Sequence, residues 1–392
     1  MTFEQALNHF LSIMPPAFNM GDSMKVTAPG KLMLSGEWSV LEDGIPCVVM
    51  AIDQRVSAEV KDSAKLMFNA PGFGINNVEA EFTDSITLKC DDATKEKLIF
   101  VAKSVEAALK YLQGKGIKTK NFILETNSED TVYDLGNGKK AKVGFGSSAA
   151  IVAATVAAVL AYHGEEISSL KAKEHIFKLG CIAHFLAQGK IGSSFDVAAS
   201  TYGGTLVYQK PDMKWVTKQF EEKKGIKEIV EQIWPLFRAE PLELPANFNL
   251  SIGFVGYSAS TKELILKLNT FKTEKKAEYD KIIANIKGIT EKLITAIQKK
   301  NEKEIISLLK ENRVQLKALS DGSQNNLETK ELGVLADIVD KLGGVGKFSG
   351  AGGGDCGIGI SFDKSIKANI EKEWKSNNIT PILVGIAIKG VN

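Results

Sequence analysis

The stretch 142-KVGFGSSAAIVAATVAAVL-160 decides how this chain is read. Residues Ala149 to Tyr162 are mostly alanine and aliphatics, with no glycine or proline, so they predict a helix despite the valines. That helix is apolar on nearly all sides, which predicts burial. It is too short for a membrane span, which takes about 18–20 apolar residues. Ser147 and Ser148 fall at its start, with Gly144 and Gly146 in the turn before. The first N–H groups of a helix have no internal partner, and the macrodipole makes that end positive. Glycines let a ligand come close to the backbone. The pattern fits an anion site, with phosphate the usual guest. It fits a serine N-cap on a core helix equally well.

Two familiar phosphate motifs do not account for it. No window has the G-x-x-x-x-G-K-[ST] of a Walker loop. Gly144-x-Gly146-x-x-Ala149 meets the relaxed dinucleotide fingerprint, which then requires a strand ending in an acid. Here the helix runs to His163-Gly164, and Glu165-Glu166 follow at once. Gly352-x-Gly354-x-x-Gly357 is a second match, but the alternation of "GIGISF" after it reads as strand.

The rest of the chain bounds the answer. Its 392 residues suit one large or two medium domains, and the net charge of +2 is well mixed, which argues against nucleic acid. Four cysteines (Cys47, Cys90, Cys181, Cys356) are scattered without metal spacing, which fits a reducing, cytoplasmic compartment. Cys356 reads as a small buried hydrophobe. The four histidines form no cluster, which argues against zinc. Residues 1–23 read as an extension with one short amphipathic helix before Pro15-Pro16, and they lack the basic start of a signal peptide.

From Lys25 onward strands and helices alternate. "VTA", "CVVMAI", "VSAEV" and "FILET" read as strands, and Lys95 to Leu112 as a helix. A further helix runs from Ser169 to Gln188, stopped by Gly189. "TLVYQK" reads as part of a hairpin, and residues 211–247, with four prolines, as irregular. "NLSIGFVG" opens the second half. Ile282, Ile286, Ile289, Leu293 and Ile297 mark one helix face, and "EKEIISLLKENRVQLKAL" another helix. "CGIGISF" and "ILVGIAI" return to strand. Ser260-x-x-Glu263 is a capping box. The class is α+β in two domains, 24–215 and 216–392, after the extension 1–23.

Three glycine-rich segments stand out: "APGKLMLSGEWSVLEDG" from Ala28, "VGFGSSAA" from Val143 and "GKFSGAGGGDCGIGI" from Gly346. In this order they resemble the three motifs of the GHMP small-molecule kinase superfamily, from about Lys25 to the end. The resemblance implies a ribosomal-S5-like N-terminal domain, a ferredoxin-like C-terminal domain and an active site in the cleft between them. "AQGKIGSSFDVAASTYGG" from Ala187, "GYSASTKELI" from Gly256 and "SGAGGGDCGI" from Ser349 are most similar to the phosphomevalonate kinases. Those enzymes use ATP to convert 5-phosphomevalonate to 5-diphosphomevalonate on the mevalonate route to isoprenoids. Mevalonate kinases usually carry Pro-Ser-Gly before the acid, where this chain has Ser193-Ser194-Phe195 before Asp196. They also usually carry histidine where this chain has Trp38. Mevalonate kinase, diphosphomevalonate decarboxylase and a non-catalytic sensor on the same fold remain as alternatives, because fold alone does not give function.

The resemblance also implies roles. Gly144, Phe145, Gly146, Ser147, Ser148 and Ala149 would wrap the ATP phosphates, with Ser148 helping to hold Mg²⁺. Lys31 and Asp196 would be the catalytic pair. Glu37 would contact substrate or order its loop. Lys190, Ser193, Ser194, Ser349, Gly350, Ala351 and Gly352 would line the acceptor side, and Gly353 would help that loop close. For Lys190, a solvated lysine after a helix end fits equally well. Mevalonate kinases take a second Mg²⁺ ligand from a glutamate upstream of the aspartate, yet no carboxylate lies between Glu174 and Asp196. Small molecules are the expected partners, with no nucleic acid or membrane, and monomer and homodimer both stay open.

Overall fold

A computed structural model describes residues 23–128, 132–134, 140–189, 192–256 and 261–392. The expected N-terminal helix, Lys190 and the Ser260 cap lie outside the described residues. The first body opens with β1 (Met24–Ser35), β2 (Pro46–Asp62), β3 (Leu66–Ala70), β4 (Ile75–Phe82) and β5 (Ile86–Leu88). Helix α1 (Asp92–Gly114), β6 (Phe122–Asn127), and a ribbon of β7 (Val132–Asp134) and β8 (Lys140–Lys142) follow. Then come α2 (Ser147–Tyr162), α3 (Leu170–Gln188), α4 (Phe195–Tyr202), β9 (Thr205–Gln209), α5 (Met213–Glu221), α6 (Ile226–Glu231) and β10 (Arg238–Pro241). The sheet order is β10-β9-β2-β6-β3-β4-β5, with β1 on β2.

Strand β2 is the spine. It joins "CVVMAI" and "VSAEV", expected as two strands, into one of 17 residues. β1 pairs along almost its whole length, while β9 takes Pro46–Met50 and β6 takes Ser57–Asp62. Between these, the chain's last stretch crosses back: Ile52 bridges Ile386, and Ala387 N–H donates to Ala51 O at 2.9 Å. Alternation splits β1 and β2 between two cores. Met33, Cys47 and Val49 face α1 and α2, whereas Leu32, Val48 and Met50 face the second sheet. A strand buried on both faces reads as an unbroken apolar run, as "CVVMAI" does.

The second body contains β11 (Asn249–Phe254), α7 (Thr261–Glu274), α8 (Lys276–Gln298), α9 (Glu302–Gly322), α10 (Lys330–Lys341), β12 (Val345–Phe348), β13 (Cys356–Ser361), α11 (Lys364–Ser376) and β14 (Thr380–Ile382). Its sheet runs β12-β13-β11-β14, all antiparallel. Along the chain it is two strand–helix–strand units, β11 to β12 and β13 to β14, with the order 4-1-3-2 of the ferredoxin-like arrangement the resemblance implied.

Local expectations hold where periodicity is strong. α3 starts on a Ser169 cap and stops at Gly189, φ 68°. α8 buries Ile282, Ile286, Ile289, Leu293 and Ile297. The proline-rich region differs. It holds two short helices and β10, which pairs with β9, and Val216, Ile229 and Val230 enter the first core. Residue 215 lies within α5, and the chain passes from β10 to the second sheet between Pro241 and Asn249. Of "ILVGIAI" only Ile382 falls in β14, because the rest turns back to bridge β2. Among the described residues no helix is long and apolar enough to cross a membrane.

Candidate active site

The buried helix begins where the sequence placed it, but its cap is not a serine. Gly146 is the N-cap, with φ 76°, and no side chain caps this end. Ser147 is half-buried and Ser148 exposed, so both hydroxyls remain available beside the unpaired N–H groups of the first turn. Ala149 is fully buried just behind them. Glycine suits this left-handed corner for a second reason. A Cβ on Gly146 would lie 3.2 Å from Lys31 Cε and 3.7 Å from Asp196 Cβ. The bare turn is thus the meeting place of the lysine and the aspartate anticipated as the catalytic pair.

Each is held by its own element. Lys31 sits on β1 one residue past a register shift between Pro29 and Gly30. Such a bulge re-aims the side chains that follow it. Gly30 lets the second motif come against β1, since a Cβ there would lie 2.9 Å from Phe145 Cβ. Phe145 is buried, and its carbonyl accepts the Lys31 N–H at 2.8 Å. The Lys31 ammonium donates to Gly144 O at 2.9 Å. Asp196 stands in the first turn of α4, where Oδ1 accepts the Val197 N–H at 2.9 Å. The positive end of the helix dipole favours a carboxylate there. Ser194 caps that helix in a left-handed conformation and is buried. Ser193 gives its carbonyl to the Tyr208 hydroxyl at 2.7 Å. At the far end of α4, Ser200 Oγ donates to Pro29 O at 2.7 Å, tying the aspartate's helix to the lysine's strand.

The third glycine-rich segment lies across the same corner. Gly350, Gly352, Gly353, Gly354 and Asp355 all have positive φ. Gly352 packs on the Leu327 backbone, and Gly353 N–H donates to Leu327 O at 2.8 Å. The Ser349 hydroxyl accepts the Met33 N–H at 2.8 Å and donates to Met33 O at 3.0 Å. It therefore pins β1 to the loop, and its proton is spent on that carbonyl. Ala351 is half-buried.

Glu37, from the first motif, is fully buried against Lys347 of the third. Burial pushes the Glu37 carboxyl up against the pull of the Lys347 ammonium, and pushes that ammonium down. The Gly350 N–H also favours the Glu37 carboxylate. The pair ties the first motif to the third.

Sequence reasoning passed over two residues. Lys347 lies in the buried strand β12, and a lysine inside an apolar "VGKF" run was its signal. Asp355 lies inside the glycine loop, and its signal was a lone acid where a polyanion is expected. Asp355 Oδ1 accepts the Gly144 N–H at 3.0 Å. Its carboxyl is raised by burial, against the Gly144 N–H and the Lys31 charge. A cavity of about 100 Å³ opens beside Ser147 and Ser148, with Leu98, Phe100, Val101 and Ile151 in its wall.

Known proteins resemble this chain in both sequence and fold. The family model for the GHMP kinases N terminal domain matches residues 100–204, and that for the GHMP kinases C terminal matches 293–380. A phosphomevalonate kinase of Streptomyces sp. (strain CL190) is 28% identical over 93% of this chain and 97% of its own. A mevalonate kinase of Thermococcus sibiricus is also 28% identical, over 93% and 96%. The structure titled Streptococcus pneumoniae phosphomevalonate kinase in complex with phosphomevalonate and AMPPNP superposes with a TM-score of 0.76 at 22% identity, covering 92% of this chain and 99% of that one. With both family domains in order, a mixed helix-and-sheet fold shared with those enzymes and the three motifs gathered at one corner, the chain belongs to the GHMP kinase family.

Proposed function

We propose that this protein transfers the γ-phosphoryl group of ATP to 5-phosphomevalonate, giving 5-diphosphomevalonate and ADP. The observation that carries phosphoryl transfer is the convergence of Lys31 and Asp196 on Gly146, at the positive end of a buried helix. This reaction asks mainly for positioning and charge neutralisation. The free N–H groups at the start of α2 take the phosphates. The cavity walled by Leu98, Phe100, Val101 and Ile151 takes the base.

Lys31 keeps one of its three N–H donors on the Gly144 carbonyl and turns the others to the transferring phosphoryl group, where its charge counts most. Asp196 orients the attacking oxygen. A phosphomonoester has its second pKa at about 6, so it is largely ionised at pH 7 and needs orientation more than deprotonation. The Ser148 hydroxyl and the Asp196 carboxylate are oxygen donors of the kind Mg²⁺ takes, with phosphates and water to complete its shell. Bound there, the metal would neutralise charge on the phosphate oxygens. Among the described residues no three carboxylate, histidine or cysteine groups come together, so this donor set suits a metal that arrives with its nucleotide.

The acceptor rests on likeness: the relative from Streptomyces is a phosphomevalonate kinase, and the segments around Asp196 and Asp355 resemble such enzymes. Mevalonate is the second reading, because a mevalonate kinase matches at equal identity. An ADP-release assay with phosphomevalonate, mevalonate, homoserine and galactose as separate acceptors tests both. Turnover is expected with phosphomevalonate. Robust turnover of mevalonate with none of phosphomevalonate would refute this acceptor and leave the kinase chemistry standing.

A further inference from the structure

Asp355 has no part in the chemistry described so far, yet it sits where a carboxylate is least expected. Anionic phosphates are to occupy this corner, and a buried negative charge beside them is unfavourable unless something is gained. Its contacts indicate what that is. Oδ1 accepts the Gly144 N–H at 3.0 Å, and the Gly144 carbonyl accepts the Lys31 ammonium at 2.9 Å. One peptide unit thus links the carboxylate on one side to the lysine on the other. The fit is tight: a Cβ on Gly144 would lie 1.7 Å from Asp355 Oδ2, so only glycine lets the acid in.

Asp355 is itself fixed. It adopts φ 66°, a conformation that aspartate, asparagine and glycine tolerate and most residues do not. Its carbonyl accepts the Val255 N–H at 2.9 Å, which anchors it to the end of β11 in the second body, while Gly144 belongs to the first.

We infer that Asp355 is a positioning residue: across the cleft it holds the Gly144 peptide, and through it aims both the phosphate loop and Lys31. This rests on the kinase reading above but not on which acceptor is used. The contact spans the two bodies, so a small change in their relative placement reaches the phosphate loop directly.

Two substitutions separate backbone from carboxylate, since both residues accept the left-handed conformation. Asp355→Asn keeps an oxygen for the Gly144 N–H. Asp355→Gly removes it and leaves the backbone relaxed. With the full chain, ATP binding is measured by calorimetry and turnover by ADP release, with melting temperatures as a check on folding. Asp355→Gly is expected to lose about ten- to a hundredfold in kcat/KM for ATP, the value of one hydrogen bond to a charged group. Asp355→Asn should stay within about threefold of the native enzyme, because the acceptor is kept and one charge facing the phosphates is gone. Gly144→Ala should be severely impaired alone and partly rescued by Asp355→Gly, which clears the space its methyl needs. A loss of kcat/KM for ATP in Asp355→Gly at an unchanged melting temperature is the signature that a merely structural role would not give.

An Asp355→Gly enzyme with native ATP binding and turnover would overturn the inference. So would an Asn variant as damaged as the Gly variant, or strictly additive effects at positions 144 and 355. Failure of the kinase reading looks different: the native protein itself would neither bind ATP nor release ADP with any acceptor.

Discussion

Lys347 and Glu37, 310 residues apart in sequence, meet as an ion pair with 1% and 0% of their side chains exposed. The ammonium also donates to Phe348 O at 2.8 Å. Two charges out of water are costly, and attraction in the interior repays that cost only when both partners are present. Lys347→Met alone strands the carboxylate and should cost about 3–5 kcal/mol in urea unfolding. The double change Lys347→Met with Glu37→Gln should recover most of it. Additive losses would show that the two side chains are not coupled.

Gly146 is the corner that Lys31 and Asp196 share. Gly146→Val puts a branched side chain onto both, at a left-handed position that a β-branched residue does not adopt readily. ATP binding measured by calorimetry should be abolished. Native ATP affinity in this variant would reduce the turn to a plain helix start.

Ser148 is exposed and caps nothing, so Ser148→Ala should leave the melting temperature within about a degree of native, as exposed changes usually do. kcat should fall, and the Mg²⁺ concentration needed for half-maximal rate should rise. An unchanged Mg²⁺ dependence would remove Ser148 from the metal.

The acceptor's charge gives a further split. Lys31→Ala should depress kcat strongly, because its interaction grows as charge develops in transfer. Lys190→Ala should mainly raise KM for a phosphorylated acceptor, since a contact made equally in ground and transition states is uniform binding. Asp196→Asn should lose turnover through orientation. If Lys190→Ala leaves the acceptor KM unchanged, that lysine is a solvated one after a helix end.

Glu166 offers a pH test away from the site. Burial raises its carboxyl, but the Ser168 and Ser169 hydrogen bonds outweigh that and hold it at about 2 against an ordinary 4.5. Because the folded value lies below the unfolded one, the turn gains stability above pH 4.5 and loses it as pH falls towards 2. Glu166→Gln should lower the urea midpoint at pH 7, with the gap to the native protein narrowing steadily below pH 4.5. A gap of constant size from pH 7 to about pH 3 would contradict this.

What could be read before the fold was known follows distance along the chain. The helix after Gly146 and the Gly189 stop are local, and local rules found them. So was the corner itself, because glycines and serines at a helix start carry their physical meaning within six residues. Lys347, Asp355 and Gly30 were different. Each acts on a partner more than a hundred residues away, and no window of sequence contains both. The two short helices near Pro235 were missed for a related reason: they exist because Val216, Ile229 and Val230 find the first core.

The returning tail has a consequence for how the protein is made. Arg55 donates to Thr27 Oγ1 at 2.8 Å, to Lys389 O at 3.1 Å and to Gly390 O at 2.5 Å. Thr27 and Asn392 exchange two backbone hydrogen bonds, and Val391 N–H donates to Thr201 O at 3.2 Å, on the helix that carries Asp196. The spine of the first sheet is therefore finished by residues synthesised only after the helices and strands of the second body. On the ribosome, where a first domain usually folds as it emerges, this one must wait with an open gap beside Ala51 and Ile52. A nascent chain arrested anywhere before residue 385 would lack a competent Lys31–Asp196 corner, however long its first body had been free to fold.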